Sequence, residues 1–446
     1  MKSRTLVTMG LGLLLLLAGC QRAAVDPAKH QTSEPPRLGS SYELYVATDL
    51  HYLNPALHDN GQAFQDYVKN GDSKLLPYSD ELLNAWVRQV IEAKPAAVIL
   101  SGDLTNNGEK ASHEELAKKL AAITDAGIRV FVIPGNHDIS NPWARSFQDD
   151  RQLKTDYISP EDFTSIYGAY GYKQASEQAP DSLSYLAKVS DQLWLLMLDS
   201  NRYANNLKYG YPETGGELSE ATLTWMKTQG EAAKKAGARV VAVMHHNLFD
   251  HSDFRSEDFT ASNADKIRKV LKEADIHLAL SGHIHIQDIR SEENVTDIAT
   301  SAMAVYPHQF GILQYTASPA TVDYRTESVN VESWARSVSS RDPNLLGFQA
   351  YSRGFFHQNS YDKALHSLES SGYSEAERKS MASVMADLNP FYFGGMTDRI
   401  DTGALDAKGI ELWKNDDTSF LGTYILSMMQ NAKDNTRVHV PLTSGE

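Results

Sequence analysis

From residue 42 onward, short apolar runs alternate with segments whose apolar residues recur at helical spacing, and six of the runs end in a polar cluster. Residues 42–48 lead into Asp49-Leu50-His51, residues 96–100 into Ser101-Gly102-Asp103, and residues 128–134 into Gly135-Asn136-His137-Asp138. Residues 193–198 lead into Asp199-Ser200-Asn201, residues 240–244 into His245-His246-Asn247, and residues 276–280 into Ser281-Gly282-His283-Ile284-His285. Unbroken Val, Ile and Leu runs predict strands covered on both faces, and strand–helix alternation predicts parallel pairing with ligands at the carboxyl edge. All six polar clusters fall at that edge. Helix starts are expected at Ser79 ahead of Asp80-Glu81, at a capping box over residues 112–115, and at Ser159-Pro160-Glu161-Asp162, Ser219-Glu220 and residues 262–265. Gly127 and Gly237 stand where helices should end. Three further runs, 298–305, 310–315 and 321–329, are expected to finish a second sheet.

The pattern changes near residue 330. Residues 361–370, 374–388 and 418–430 have helical spacing without strand alternation, and residues 374–377 form another capping box. With 446 residues the chain exceeds one ordinary core. A catalytic domain over 41–330 and a helical domain over 331–446 are therefore expected.

At the other end, Lys2 and Arg4 precede an apolar stretch over residues 6–18 that is too short to span a bilayer as a helix. It ends in Leu17-Ala18-Gly19-Cys20, which resembles the lipobox of bacterial lipoproteins. The expectation is a signal peptide over 1–20, acylation of Cys20 (the sole cysteine), and an exported enzyme anchored by lipid to the cell membrane and facing outside the cytoplasm. Residues 21–40, with three prolines and few large apolar side chains, read as a flexible tether.

Apolar residues at 41% and charged residues at 22% describe a folded chain, while a net charge of −15 argues against a nucleic-acid polymer as partner. A small phosphorylated substrate stays compatible with that charge, because bound metal ions supply local positive charge.

Asp-x-His, Gly-Asp, Gly-Asn-His-Asp, a strand-end His and Gly-His-x-His, each after a strand, resemble the calcineurin-like metallophosphoesterase family over residues 42–325. The resemblance implies an α/β fold, a β-sandwich flanked by helices in four αββα layers, followed here by a C-terminal all-helical domain. It implies two metal ions, with Asp49, His51, Asp103 and His285 around one, Asn136, His245 and His283 completing the other, and Asp103 bridging. Iron, manganese or zinc suits such a mixed nitrogen and oxygen donor set better than calcium. Two metals acidify a bridging water and clamp the attacking and leaving oxygens of an in-line displacement.

By the same resemblance His137 contacts the leaving-group oxygen, Asp138 orients a neighbour, and His245 is preferred to His246 because it directly ends the strand. Tyr52, Asn54, Asn106 and His246 are candidate pocket residues. His58, His251 and His308 lie in segments that could reach the site, whereas Phe355, Phe356, Tyr392 and Phe393 are expected in a core.

Gly102-Asp103-Leu104-Thr105 with Gly108, together with Gly135-Asn136-His137-Asp138, looks like the branch that includes cyclic-nucleotide and glycerophosphodiester phosphodiesterases, although many of its members carry Asp where Asn106 stands. The expected function is hydrolysis of cyclic nucleotides or other small phosphodiesters. A phosphomonoesterase or nucleotidase outside the cytoplasm is the alternative, and a metal-binding lipoprotein without catalysis is a remoter one.

Overall fold

The structure, a computed structural model, describes residues 38–252 and 257–443. The signal peptide, Cys20 and nearly all of the tether lie outside the described residues. In chain order the strands are β1 (Ser41–Ala47), β2 (Ala97–Ser101), β3 (Arg129–Ile133), β4 (Arg145–Gln148), β5 (Arg151–Lys154), β6 (Glu177–Gln178), β7 (Tyr185–Lys188) and β8 (Leu193–Leu198). They continue with β9 (Arg239–Met244), β10 (Leu278–Ser281), β11 (Asp288–Glu292), β12 (Val295–Ala299), β13 (Gln309–Ala317), β14 (Ala320–Ser328) and β15 (Arg437–Pro441). One sheet has the order β15-β14-β13-β1-β2-β3 and the other β11-β12-β10-β9-β8-β7-β6. The pairs β1/β2, β2/β3, β8/β9, β9/β10 and β10/β12 are parallel, as the apolar runs predict.

Side-chain alternation shows why those runs are apolar throughout. Along β8, Leu193, Leu195 and Met197 enter the core between the sheets, whereas Trp194, Leu196 and Leu198 enter a second core. Strand β9 repeats this, with Val241 and Val243 facing inward and Val240, Ala242 and Met244 outward. The outer core is closed by the helices Glu220–Ala236 and Ala264–Glu273, through Leu223, Met226, Ile267 and Leu271. On the first sheet the helices Ser79–Ala93 and Lys110–Asp125 contribute Leu83, Trp86, Leu116 and Leu120. These are the four expected layers, with the parallel strands β2, β3, β8, β9, β10 and β12 buried on both sides.

The runs expected to finish the second sheet divide instead. Residues 295–299 join it as β12, but β13 and β14 pair beside β1 in the first sheet. The connection passes over the site loops, where the Met303 and Ala304 amides donate to the Thr48 and Asp49 carbonyls, and this carries the chain from one sheet to the other.

Capping follows the sequence in part. Ser159 and Ser374 make reciprocal capping boxes, and Ser219 accepts from the Thr222 amide. Ser79 is already inside its helix, with its hydroxyl donating to the Leu53 carbonyl. Ser112 is likewise inside, accepting from the Asn54 amide, and Asn263 rather than Ser262 precedes the helix at Ala264.

The C-terminal region is helical, with main helices Phe348–Ser367, Glu375–Phe393, Ala407–Asn415 and Phe420–Gln430 around Met381, Leu388, Trp413 and Ile425. One element goes beyond the all-helical expectation: the chain returns as β15 to the edge of the first sheet. Val331, Ala335, Leu345 and Phe348 join the main core, so the region is fixed to the α/β layers at both of its ends. Among the described residues, no helix is long and apolar enough to cross a membrane.

Candidate metal centre and active site

The strand-end motifs converge on one point of the sandwich edge. Five of their residues lie in the left-handed region that disfavours residues other than glycine: Asp49 (φ 50°), His51 (41°), Asp103 (47°), His283 (70°) and His285 (66°). Each such residue costs on the order of 1–3 kcal/mol and persists only where its surroundings fix it. Here the loops are pinned together, with the Asp49 amide donating to the Gly102 carbonyl and His51 to that of Asp103, both at 3.0 Å. The motif glycines allow the approach. A Cβ on Gly282 would stand 2.0 Å from Thr48 Oγ1, and one on Gly135 would stand 2.1 Å from the Asp103 nitrogen.

Two donor clusters result, Asp49, His51, Asp103 and His285 in one and Asp103, His245 and His283 in the other. Asp103 serves both: its Oδ2 lies 3.6 Å from His51 Nε2 and its Oδ1 3.4 Å from His245 Nε2. Asn136 Oδ1 is 3.1 Å from the same His245 nitrogen, which places it at the second cluster. His51 Nε2 and His285 Nε2 face each other at 3.0 Å, and Asp49 Oδ1, buried and 3.3 Å from His285 Nε2, has no hydrogen-bond partner. Its other oxygen accepts from Thr48 Oγ1 and the His283 amide, so the unpaired atom is held toward the imidazoles. Converging acceptors with an orphaned carboxylate oxygen fit cations, since a buried polar atom without a partner is otherwise costly.

The protonation states agree. Burial holds His51 and His283 well below the usual imidazole range, leaving neutral donors. Burial lowers His245 too, but Asp103 outweighs it and raises the ring to about 9, so this pair binds a proton that a cation would displace.

Strand alternation decides between the adjacent histidines. One residue past β9, His245 keeps the inward phase and its Nδ1 lies 3.0 Å from the Ser101 carbonyl on the facing sheet. His246 takes the outward phase, with Nδ1 2.8 Å from Ser200 Oγ and Nε2 2.9 Å from the Thr214 carbonyl. Both of its ring nitrogens are engaged, so His246 is not a pocket residue.

His137 is at the site. Its Nδ1 donates to the Asn106 carbonyl at 2.8 Å, and its ring centroid lies 5.0 Å from that of His51. It borders an open cavity of about 660 Å³ with Asn106, Asn107, Tyr67, Lys74 and Arg145. Asn106 therefore keeps its pocket position, its amide donating to the Tyr67 hydroxyl. Asp138 does not reach the cavity. Fully buried, it accepts from the amides of Leu104, Thr105 and Gly135 and ties two motif loops together, a positioning role and not a catalytic one. Burial and the Asp103 carboxylate push its carboxyl up to about 7 against those hydrogen bonds.

Two further pocket expectations are corrected. The Tyr52 hydroxyl turns away to donate to Asp80, and the Asn54 side chain caps the Ala56 amide. Of the outlying histidines, His58 stacks on Phe64, His251 is clamped between Asp288 and Asp297, and His308 Nδ1 donates to the Met303 carbonyl. None borders either cavity beside the metal clusters.

Sequence reading missed Lys74. It is 6% exposed, with Nζ 3.2 Å from Asp72 Oδ2. Burial lowers its pKa, but Asp72, Tyr67 and Asp103 outweigh that and hold the ammonium above its ordinary value, charged beside His137. It comes from an irregular loop with no motif to flag it. Phe356, Tyr392 and Phe393, expected in a core, also border a cavity at the site.

Residues 43–287, more than half of the chain, match the calcineurin-like phosphoesterase family. The chain belongs to that family. Residues 330–435 match the C-terminal domain of cyclic nucleotide phosphodiesterase. This phosphoesterase is 24% identical over 258 residues, 57% of its own chain and 77% of the other, to a probable cyclic nucleotide phosphodiesterase of Psychrobacter arcticus. Among solved structures it is similar to a dimetal phosphatase from Danio rerio (14% identity, 64% of this chain and 96% of that one, TM-score 0.47). It is also similar to a purple acid phosphatase from yellow lupin (10% identity, 67% and 53%, TM-score 0.42).

Proposed function

We propose that this phosphoesterase hydrolyses phosphodiesters, with cyclic nucleotides as its substrate class. The observation that carries the reaction type is Asp103, which presents one carboxylate oxygen to each donor cluster. The substrate class is supported by the match of residues 330–435 and by the Psychrobacter relative.

Asp49, His51, Asp103 and His285 would hold one ion, and Asp103, Asn136, His245 and His283 the other. Such an ion pair supplies positive charge for the anionic transition state and acidifies an attacking water. The remaining work belongs to the chain. The Asn106 carbonyl fixes the His137 ring through Nδ1, so that Nε2, when protonated, donates to the leaving oxygen as the P–O bond breaks. Lys74 offers its ammonium to a non-bridging phosphate oxygen as a point charge.

The test is hydrolysis of bis-p-nitrophenyl phosphate by full-length protein with manganese or with a chelator, beside Asp103→Asn. Release of nucleoside monophosphate from 2′,3′- and 3′,5′-cyclic nucleotides is followed in parallel. Metal-dependent turnover reduced at least about a hundredfold in the variant is expected. Faster hydrolysis of p-nitrophenyl phosphate than of the diester would instead favour the monoesterase reading, and turnover indifferent to chelator would end the two-metal account.

A further inference from the structure

Beside the metal clusters, on the side of His283 and His285, lies a second cavity of about 350 Å³. Its inner wall is the Gly-His-x-His loop, and its outer wall comes from the helices Phe348–Ser367, Glu375–Phe393 and Phe420–Gln430. The composition differs from that of the cavity bordered by His137. Flat rings predominate: Phe259 lies 4.9 Å from the His283 ring, and Phe393 packs edge-on to Phe356 at 5.0 Å. Buried polar groups interrupt them, Ser73, Ser252, Ser360 and Asn389. Asn389, 4% exposed, donates from Nδ2 to Ser360 Oγ at 3.0 Å and accepts at Oδ1 from the Tyr424 hydroxyl at 2.9 Å. An amide offers two N–H groups and two lone pairs, so one of each is left at the cavity wall. Asp72 and Lys363 border both cavities, so the two are neighbours, with His283 and His285 on the wall of one and His137 on the wall of the other.

Resting on the phosphodiesterase reading, we propose that this cavity holds the nucleobase of the substrate, so that the C-terminal helices set substrate preference. In a cyclic nucleotide both ester oxygens sit on one ribose, so a phosphate over the clusters can turn its leaving oxygen toward the His137 cavity while the base on that ribose enters the second cavity. The compartment with His137, Lys74 and Asn106 suits a polar leaving oxygen. The other suits a planar ring with hydrogen-bonding edges, because stacked aromatic faces accept any base and an amide donor–acceptor pair reads its edge. Its volume falls at the small end of small-ligand pockets, roughly 300–1,000 Å³, enough for a base with its sugar and too small for a lipid with two acyl chains.

The experiment is calorimetric titration of full-length, manganese-loaded protein with adenosine 5′-monophosphate, ribose 5-phosphate and glycerophosphocholine. The nucleotide is expected to bind about tenfold or more tightly than ribose 5-phosphate, the difference being the base. In Phe393→Leu, which keeps apolar volume and loses the flat ring, that ratio should fall toward one while ribose 5-phosphate affinity stays within about twofold. Asn389→Leu should reduce the ratio independently. Equal binding of the two sugar phosphates, a ratio unmoved in both variants, or preferred binding of glycerophosphocholine overturns the proposal. Failure here is separable from failure of the parent reading. Metal-dependent diester hydrolysis without base preference removes only the pocket assignment, and base preference without hydrolysis removes only the diesterase.

Discussion

At His245 and His246 two identical side chains, adjacent in sequence, meet different fates because a strand turns successive residues to opposite sides. The inward ring reaches Asp103 and Asn136, and the outward ring is consumed by Ser200 and Thr214. Replacing His245 by Asn should therefore leave about half the bound manganese and abolish diester hydrolysis. Replacing His246 by Asn should keep full metal content and lower stability by about 1–3 kcal/mol, the cost of leaving buried partners unsatisfied. Metal analysis of the two purified variants alongside thermal unfolding decides this, and equal metal loss in both would refute the phase argument. The choice of His245 was readable as the residue that directly ends the strand, in the manner of the family's ligand, whereas the inward phase was not, since β9 is apolar on both faces. Nor were the pocket residues. Tyr52 and Asn54 follow a ligand motif in sequence, yet Tyr52 turns to Asp80 and Asn54 closes a helix start. Lys74 reaches the site from a loop that periodicity cannot orient.

Between β9 and the Ala264 helix, His251 ties its part of the connection to two strands. His251 Nδ1 lies 2.9 Å from Asp288 Oδ2 at the start of β11, and Nε2 3.0 Å from Asp297 Oδ2 on β12. Arg290 Nε and Asn435 Nδ2 also donate to Asp288, so the loop, an edge strand and the segment before β15 share one buried ion cluster. Burial lowers the His251 pKa, but the two carboxylates outweigh it and raise the ring to about 9. A histidine with a raised folded value contributes stability that is complete below its unfolded value near 6.5 and disappears as pH rises through the folded one. Urea unfolding should thus show up to about 3 kcal/mol lost between pH 6.5 and pH 9.5. His251→Gln should be less stable at pH 6.5 and much flatter across that window. A wild-type profile as flat as the variant's would show that His251 is neutral in the folded protein. Nothing in the sequence announces this cluster, because its members lie 37 and 46 positions from His251.

For the molecule as a whole, the strand–helix alternation and the polar motifs at strand ends were legible because each rests on short-range patterning, whereas the four layers and the joint ligand set followed from the family resemblance, and the sheet that β13 and β14 join was not legible. Nor was the return of the chain, since Arg437–Pro441 is short, begins with Arg437, places His439 between its two valines, and ends in a proline. Its place depends on β14, a long strand that would otherwise end the first sheet as an open edge. Strand β15 covers that edge, and Val440 and the following Leu442 are buried in the main core, anchoring the far end of the helical region that walls the aromatic cavity. Burying two such side chains is worth about 1.5–3 kcal/mol each, and an uncovered strand edge invites pairing with another copy. Ending the chain after residue 435 should lower the melting temperature clearly and produce concentration-dependent association by light scattering. It should also weaken nucleotide binding more than it weakens manganese binding, because the ligands sit on the two sheets while the aromatic wall hangs from the helices. If the shortened chain melts and binds nucleotide like the full one, the helical region is held by its first helices alone and β15 is dispensable to the pocket.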